Sequence, residues 1–283
     1  MKEFYRAEKV TNAITAIWSR SGEIMYFVEG ENRAVLIDTC LGVRGLRALV
    51  ETLTDKPVMV LLTHGHMDHA MGAPEFQDVY MNPADRDVYL AHSNLEVRKG
   101  YIIANIGGME PWIDDDNRFI SGESDYFKDL KENMIFDLGG LTVEVYSLPG
   151  HTKGTMVMLI PEERLLITGD ACNNSVFLFD EFSLSVEEYR SNLLRVDRLL
   201  EGRYNRTFMM HHVMQASKDL LKNVISVCDD IMTGRADDIE FTFMGGTYYV
   251  AKKANERFER EDNKEGNIVY NRQKIFKERQ AGA

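Results

Sequence analysis

Two β-sheets packed together with helices outside them form the α/β fold class this sequence predicts. Three observations predict it. Apolar runs of strand length recur along the chain, stretches at helical spacing interrupt them, and no composition break divides the chain into independent domains. Of the 283 residues, 44% are hydrophobic and 28% charged, which supplies a substantial core and is too apolar for disorder.

Residues 10–18 and 24–28 read as strands around Ser21-Gly22, and the run 34–38 ends on Asp38. Between 43 and 53, Val43, Leu46, Leu49, Val50 and Leu53 share one helical face. Residues 58–62 are continuously apolar, as in a strand buried on both faces, and His64 follows two residues later. A short strand at 78–81 precedes helical stretches at 83–91 and 94–104, where His92 reads as a surface residue. From 105 to 133 the periodicity is lost, and residues 110–137 carry nine acids against three bases. A loop of that length reads either as an acidic solvated cover or as a cap over an active site. In the cap reading Trp112, Phe119, Tyr126 and Phe127 form an apolar wall for substrate.

Strand signals resume at 141–146, followed by the turn Pro149-Gly150-His151-Thr152-Lys153-Gly154. The runs 156–160 and 164–168 follow, the second ending at Gly169-Asp170. Amphipathic helices at 185–201 and 215–233 flank a strand at 207–210 that ends on His211-His212. Two aromatic-rich runs, 239–243 and 247–250, flank Gly245-Gly246 as a hairpin. The tail 252–279 mixes nine bases with six acids. The expected organisation is a catalytic domain over 1–238, with 239–283 as a C-terminal hairpin and tail packed on it.

A net charge of −12 disfavours broad nucleic-acid binding. No run approaches the ~20 apolar residues that span a bilayer, and the start has no signal-like stretch. Three scattered cysteines are no disulfide framework, so the expected setting is the reducing cytoplasm. Cys172, two residues past Asp170, reads as a small buried hydrophobe; Cys40 and Cys228 read as structural.

Three of the seven histidines lie in His64-Gly65-His66-Met67-Asp68-His69. Asp38, His64, His66, Asp68, His69, His151, Asp170 and His211 each stand at or just beyond a strand end or tight turn. If those ends converge, the donors exceed the four that one tetrahedral zinc takes. Two metal ions sharing a carboxylate is the economical arrangement, and such a pair activates water for hydrolysis near neutral pH.

With these motifs in the right order over about residues 10–232, the chain resembles the metallo-β-lactamase-fold hydrolases, in their glyoxalase II-like and lactonase-like branch. The resemblance implies a four-layer αββα sandwich with a metal site at one edge, here carrying a C-terminal extension. It implies that His64, His66 and His151 bind a first divalent ion, that Asp68, His69 and His211 bind a second, and that Asp170 bridges. Asp38 is implied to orient a ligand, and Asp68 also to help move a proton. Zinc is the expected metal, with iron or manganese also suited to such donors. Adjacent strand residues face opposite ways, so only one of His211 and His212 should reach the metals; the resemblance favours His211, since His212 matches the position after the ligand.

The implied reaction is attack by a metal-bridged hydroxide on a thioester or lactone, with Asp68 and Asp170 catalytic. The alternatives are a phosphodiesterase or nuclease with the same site and, further off, a β-lactamase or a non-catalytic binding protein. A small-molecule substrate is the expected partner; Lys153 is a candidate contact for an anionic one, and a homodimer is a reasonable prior.

Overall fold

The computed structural model describes residues 3–121, 127–243 and 245–278. Its first sheet runs in chain order: β1 (Tyr5–Lys9), β2 (Ile14–Ser19), β3 (Ile24–Glu29), β4 (Ala34–Ile37), β5 (Val58–Leu61), β6 (Val79–Met81) and β7 (Lys128–Asp129). β1 to β4 pair antiparallel, and β4 to β7 pair parallel. The second sheet begins with β8 (Ile135–Asp137), β9 (Thr142–Ser147), β10 (Met156–Ile160) and β11 (Leu165–Ile167). After β11 the chain leaves to form β12 (Val176–Leu178), then returns as β13 (Arg206–His211) and β14 (Val213–Ser217).

Period-2 alternation assigns each side chain to a layer. In β10, Met156, Met158 and Ile160 enter the core between the sheets, while Val157 and Leu159 face the opposite way. In β4, Val35 and Ile37 face inward and Ala34 and Leu36 outward. The outer face of the first sheet is covered by α1 (Leu46–Leu53) and α4 (Leu95–Ile106), with the short α2 (Met67–Ala70) and α3 (Arg86–Ala91) between them in sequence. The outer face of the second sheet is covered by α5 (Val186–Leu199) and α6 (Leu220–Met232). The result is the four-layer αββα sandwich. α5 starts where Ser185 and Glu188 form a capping box, which satisfies amide groups the first helical turn leaves open.

The C-terminal residues build a third sheet, in the order β12, β17 (Ile268–Tyr270), β16 (Gly246–Val250) and β15 (Ile239–Phe243). The expected hairpin is therefore present, but the tail beyond it also holds a strand, and that strand pairs parallel with β12 from the middle of the chain. Residues 213–217 form an edge strand where the sequence reads as the start of a helix. Residues 5–9 add a strand with only one buried side chain, so no apolar run announces it.

Candidate metal centre

The parallel strands β4 and β5 end side by side, which sets Asp38 beside Thr63 and His64. Asp38 has φ +63°, a left-handed conformation that aspartate tolerates better than most residues. Its Oδ1 accepts from the Thr63 amide at 2.6 Å, and its Oδ2 accepts from Thr63 Oγ1 at 2.6 Å and from His69 Nδ1 at 2.6 Å. The last bond fixes Nδ1 as the donor to Asp38 and turns Nε2, the nitrogen that a cation would take, toward the interior of the site. The two sheets are clamped here, with the Met156 amide donating to the Thr63 carbonyl at 2.8 Å.

His64 Nδ1 lies 3.0 Å from Thr63 Oγ1, whose own proton goes to Asp38. His151 Nδ1 donates to the Phe177 carbonyl at 2.8 Å. Both rings therefore turn a bare Nε2 inward. His64 Nε2 stands 3.1 Å from His66 Nδ1, which is 2.9 Å from His151 Nε2. A tetrahedral zinc, about 2.0–2.1 Å from each nitrogen, sets its ligands about 3.3–3.4 Å apart. This buried trio fits a cation within a few tenths of an ångström.

A second group meets it. His69 Nε2 is 3.0 Å from His211 Nε2, and Asp68 Oδ2 is 3.5 Å from His211 Nε2 and 3.8 Å from His69 Nε2. Asp170 spans the two groups: its Oδ2 is 3.6 Å from both His69 and His151, and its Oδ1 is 3.3 Å from His211. Both clusters are suited to metal ions by donor type and spacing. His212 lies outside them. It has φ +54°, its amide donates to the Gly22 carbonyl at 2.9 Å, and its ring is 6.2 Å from that of His211.

The electrostatics divide the clusters. Burial, reinforced by neighbouring imidazoles, holds His64 and His66 well below the usual histidine range. Burial pulls on His69 and His211 too, but the Asp170 and Asp68 carboxylates outweigh it; His69 ends well above its ordinary value and His211 at about 9. Asp170 gives the mirror image: burial raises it, yet His211 and His69 hold it well below the carboxylate range.

Several residues at the site carry no motif. Asp85 is fully buried and accepts from the Gly65 amide at 2.9 Å, the Gly154 amide at 2.7 Å and Thr152 Oγ1 at 2.7 Å. It thereby ties the His64–His66 turn to the His151 turn. Both glycines are required by this close approach, since a Cβ on Gly65 would lie 2.6 Å from the Asp85 carbonyl and one on Gly154 2.5 Å from its carboxylate. The available signal was a Pro83-Ala84-Asp85 helix start, which predicts only a cap. Tyr101 Oη donates to Asp68 Oδ2 at 3.4 Å. His92, expected on the surface, is half-buried at the end of α3 with its ring 4.5 Å from that of His66. Asp180 Oδ2 lies 3.8 Å from His66 Nε2, which has no hydrogen-bond partner among the described residues.

The expected aromatic wall is placed differently. Phe119 is buried and Trp112 packs on the outer core of the first sheet, their rings stacked 6.1 Å apart. Phe127 packs on Tyr89 at 4.8 Å, and Tyr126 lies outside the described residues. The buried Arg98 donates to the carbonyls of Leu41 and Ile120, fastening this segment down. Trp112, Phe119 and Phe127 thus pack into the outer core of the first sheet, where they anchor a long loop. Lys153 is exposed on the His151 turn, and Cys172 is buried in the core beside Tyr189. Among the described residues no helix is long and apolar enough to cross a membrane.

The chain is similar to several known proteins. An uncharacterised protein of Mycobacterium tuberculosis is 30% identical over 155 residues, 48% of this chain and 61% of its own length, so the match spans about three fifths of that relative. The human acyl-coenzyme A thioesterase MBLAC2 is 22% identical over 233 residues, 74% of this chain and 82% of its own. The hydroxyacylglutathione hydrolase GloC of Haemophilus influenzae is 27% identical over 146 residues, 50% and 62% of the two chains. Among solved structures, a metallo-beta-lactamase from Pontibacter korlensis superposes with a TM-score of 0.57 at 17% identity, over 78% of this chain and 97% of the other. The sec-alkylsulfatase Pisa1 of a Pseudomonas gives 0.60 at 15% identity, over 82% and 42%. The sequence profile of the metallo-beta-lactamase superfamily, mostly metal-dependent hydrolases, matches residues 24–209, and this chain belongs to that superfamily.

Proposed function

We propose that this protein is a dinuclear-metal hydrolase acting on a carboxyl-type substrate, a thioester in the first instance and a lactone as the close variant. The observation that carries the reading is Asp170, whose carboxylate reaches histidine nitrogens of both clusters within 3.3–3.6 Å. The names of MBLAC2 and GloC denote thioester substrates, which supports the choice of bond.

His64, His66 and His151 would hold one ion, Asp68, His69 and His211 the other, and Asp170 would be shared. Bound divalent ions supply Lewis acidity, polarising a carbonyl and making water acidic enough to ionise near neutral pH. The chain's own residues do the rest. Asp38 holds the His69 ring in its donating tautomer, and the Phe177 carbonyl does the same for His151. Asp68, partly exposed and steadied by Tyr101, is placed to take a proton as water attacks the carbonyl carbon. That proton goes to the thiolate released as the carbon–sulfur bond breaks.

The test is turnover of a short acyl thioester against bis-p-nitrophenyl phosphate, with chelated protein as control. Thioester hydrolysis that disappears on chelation is the expected result. Phosphodiester turnover with an inert thioester overturns the reading in favour of a phosphodiesterase.

A further inference from the structure

The third sheet has two apolar faces. One, carrying Val176, Leu178, Ile268 and Tyr270, is buried with α5 and α6. The pleat sends the alternate residues the other way. In register, Phe241 lies opposite Tyr248, Val250 opposite Val269, and Val269 beside Phe177. That second face is a layer of half-buried aromatic rings. Phe179 stacks on Tyr248 at 4.0 Å; Phe177 lies 4.9 Å from Phe179 and 5.5 Å from Phe243; Phe241 lies 6.0 Å from Phe243. Phe258, from the loop after β16, adds a ring 5.6 Å from Phe241.

This layer is continuous with the metal centre. The Phe177 carbonyl accepts the His151 Nδ1 proton, and Asp180, directly after Phe179, stands 3.8 Å from His66 Nε2. The strand that orients His151, with the residue directly after it, therefore carries the first two rings of the aromatic face.

We propose that this face binds the apolar acyl chain of the substrate, which runs from a thioester carbonyl at the two clusters out along the Phe177–Phe179–Phe243–Tyr248 rings. The inference rests on the hydrolase reading above and adds the substrate class, medium- to long-chain acyl thioesters. Five phenyl rings and one phenol offer area and almost no hydrogen-bonding capacity, so they select by chain length rather than by polar pattern. A buried methylene is worth up to about fourfold in affinity, and about twofold on a surface that stays half open.

The experiment uses the metal-loaded protein and acyl-N-acetylcysteamine thioesters from acetyl to decanoyl. It is paired with binding of the matching S-alkyl thioethers, which cannot be hydrolysed. The wild type is expected to gain about two- to fourfold in kcat/KM per methylene over the middle of the series. Phe179→Ser and Phe243→Ser are expected to lower the decanoyl-to-acetyl ratio by about tenfold or more, and Phe243→Leu to restore most of it. Equal ratios in wild type and both serine variants overturn the inference while leaving the hydrolase reading intact. If no thioester is turned over, the thioester reading fails, and the thioethers decide the face alone. Dissociation constants that tighten with length, and lose that dependence in Phe243→Ser, support it; length-independent constants overturn it. A dimer that Phe243→Ser dissociates without altering the chain-length dependence assigns the face to a second copy and also overturns it.

Discussion

The two clusters share Asp170 and nearly touch, yet they are built by opposite electrostatic rules. The His64, His66 and His151 trio has nitrogen donors alone, and burial keeps His64 and His66 neutral. The second group adds the Asp68 carboxylate to His69 and His211, and without metal the neighbouring acids keep those histidines charged. The first cluster is a preformed set of bare lone pairs; the second is an ion-pair network that a cation must displace. The difference teaches that one carboxylate, Asp170, does two jobs. It offers a negative charge within reach of both sites, and it holds protons on one of them.

The largest effect should come from removing that shared group. Asp170→Ala is expected to cut hydrolysis by at least about a thousandfold, as loss of a group acting mainly in the transition state does. Metal content should fall and the circular dichroism spectrum should remain. Turnover within tenfold of wild type would show that the two clusters work independently.

Proton competition separates the clusters next. Metal binding to the second cluster must release a proton from His211, raised to about 9 by Asp170 against the opposing pull of burial. Affinity there should climb with pH, by about fiftyfold between pH 7 and 9 from the His211 proton alone and further for the proton that His69, also held well above its ordinary value, gives up. His64 and His66 are already unprotonated at neutral pH, so they impose no such slope on the first cluster. Zinc titrations of His64→Ala, reporting the second cluster, and of His211→Ala, reporting the first, measure both. Identical slopes would break the contrast.

How much of this was legible in the sequence follows the same division. The types of the candidate ligands and their order are local text: His64 to His69 fall within one turn, and His151, Asp170 and His211 each stand at the end of a short apolar run or in the turn after it. Alternating hydrophobicity placed most strands, because each is buried on at least one face. What stayed hidden depends on contacts far apart in the chain. β17 is three residues in a charged tail and becomes a strand by pairing between β16 and β12, the latter ninety residues earlier. Trp112 and Phe119 looked like a substrate wall because aromatic density in a loop does not reveal which way the rings face; Arg98 and the outer core decide that. Phe177 and Phe179 stand in a stretch where the sequence suggests no strand, and Tyr248 reads as an ordinary hairpin residue, since only the third sheet brings them together. Asp85 has no motif, because its role is to join two turns that the sequence separates by almost seventy residues.

Asp85 and Asp38 give the smallest and most discriminating comparison. Neither belongs to the two clusters described above, and each braces one of them. Asp38 receives the His69 Nδ1 proton, whereas Asp85 holds the two turns that carry His64, His66 and His151. Groups that orient metal-binding residues are worth about 10–100-fold in affinity. Asp38→Asn should therefore weaken zinc binding at the second cluster by about tenfold while sparing the first. The new amide can still face Thr63, but it presents an N–H or a weaker acceptor to His69 Nδ1. Asp85→Asn should do the reverse, because its amide cannot accept three bonds with one oxygen and the His151 turn loosens. The readout is stepwise zinc affinity by calorimetry in each variant. Losses that fall equally on both steps would mean that the clusters are braced as a single unit, with the clamp between the two sheets, not the two buried aspartates, setting their geometry.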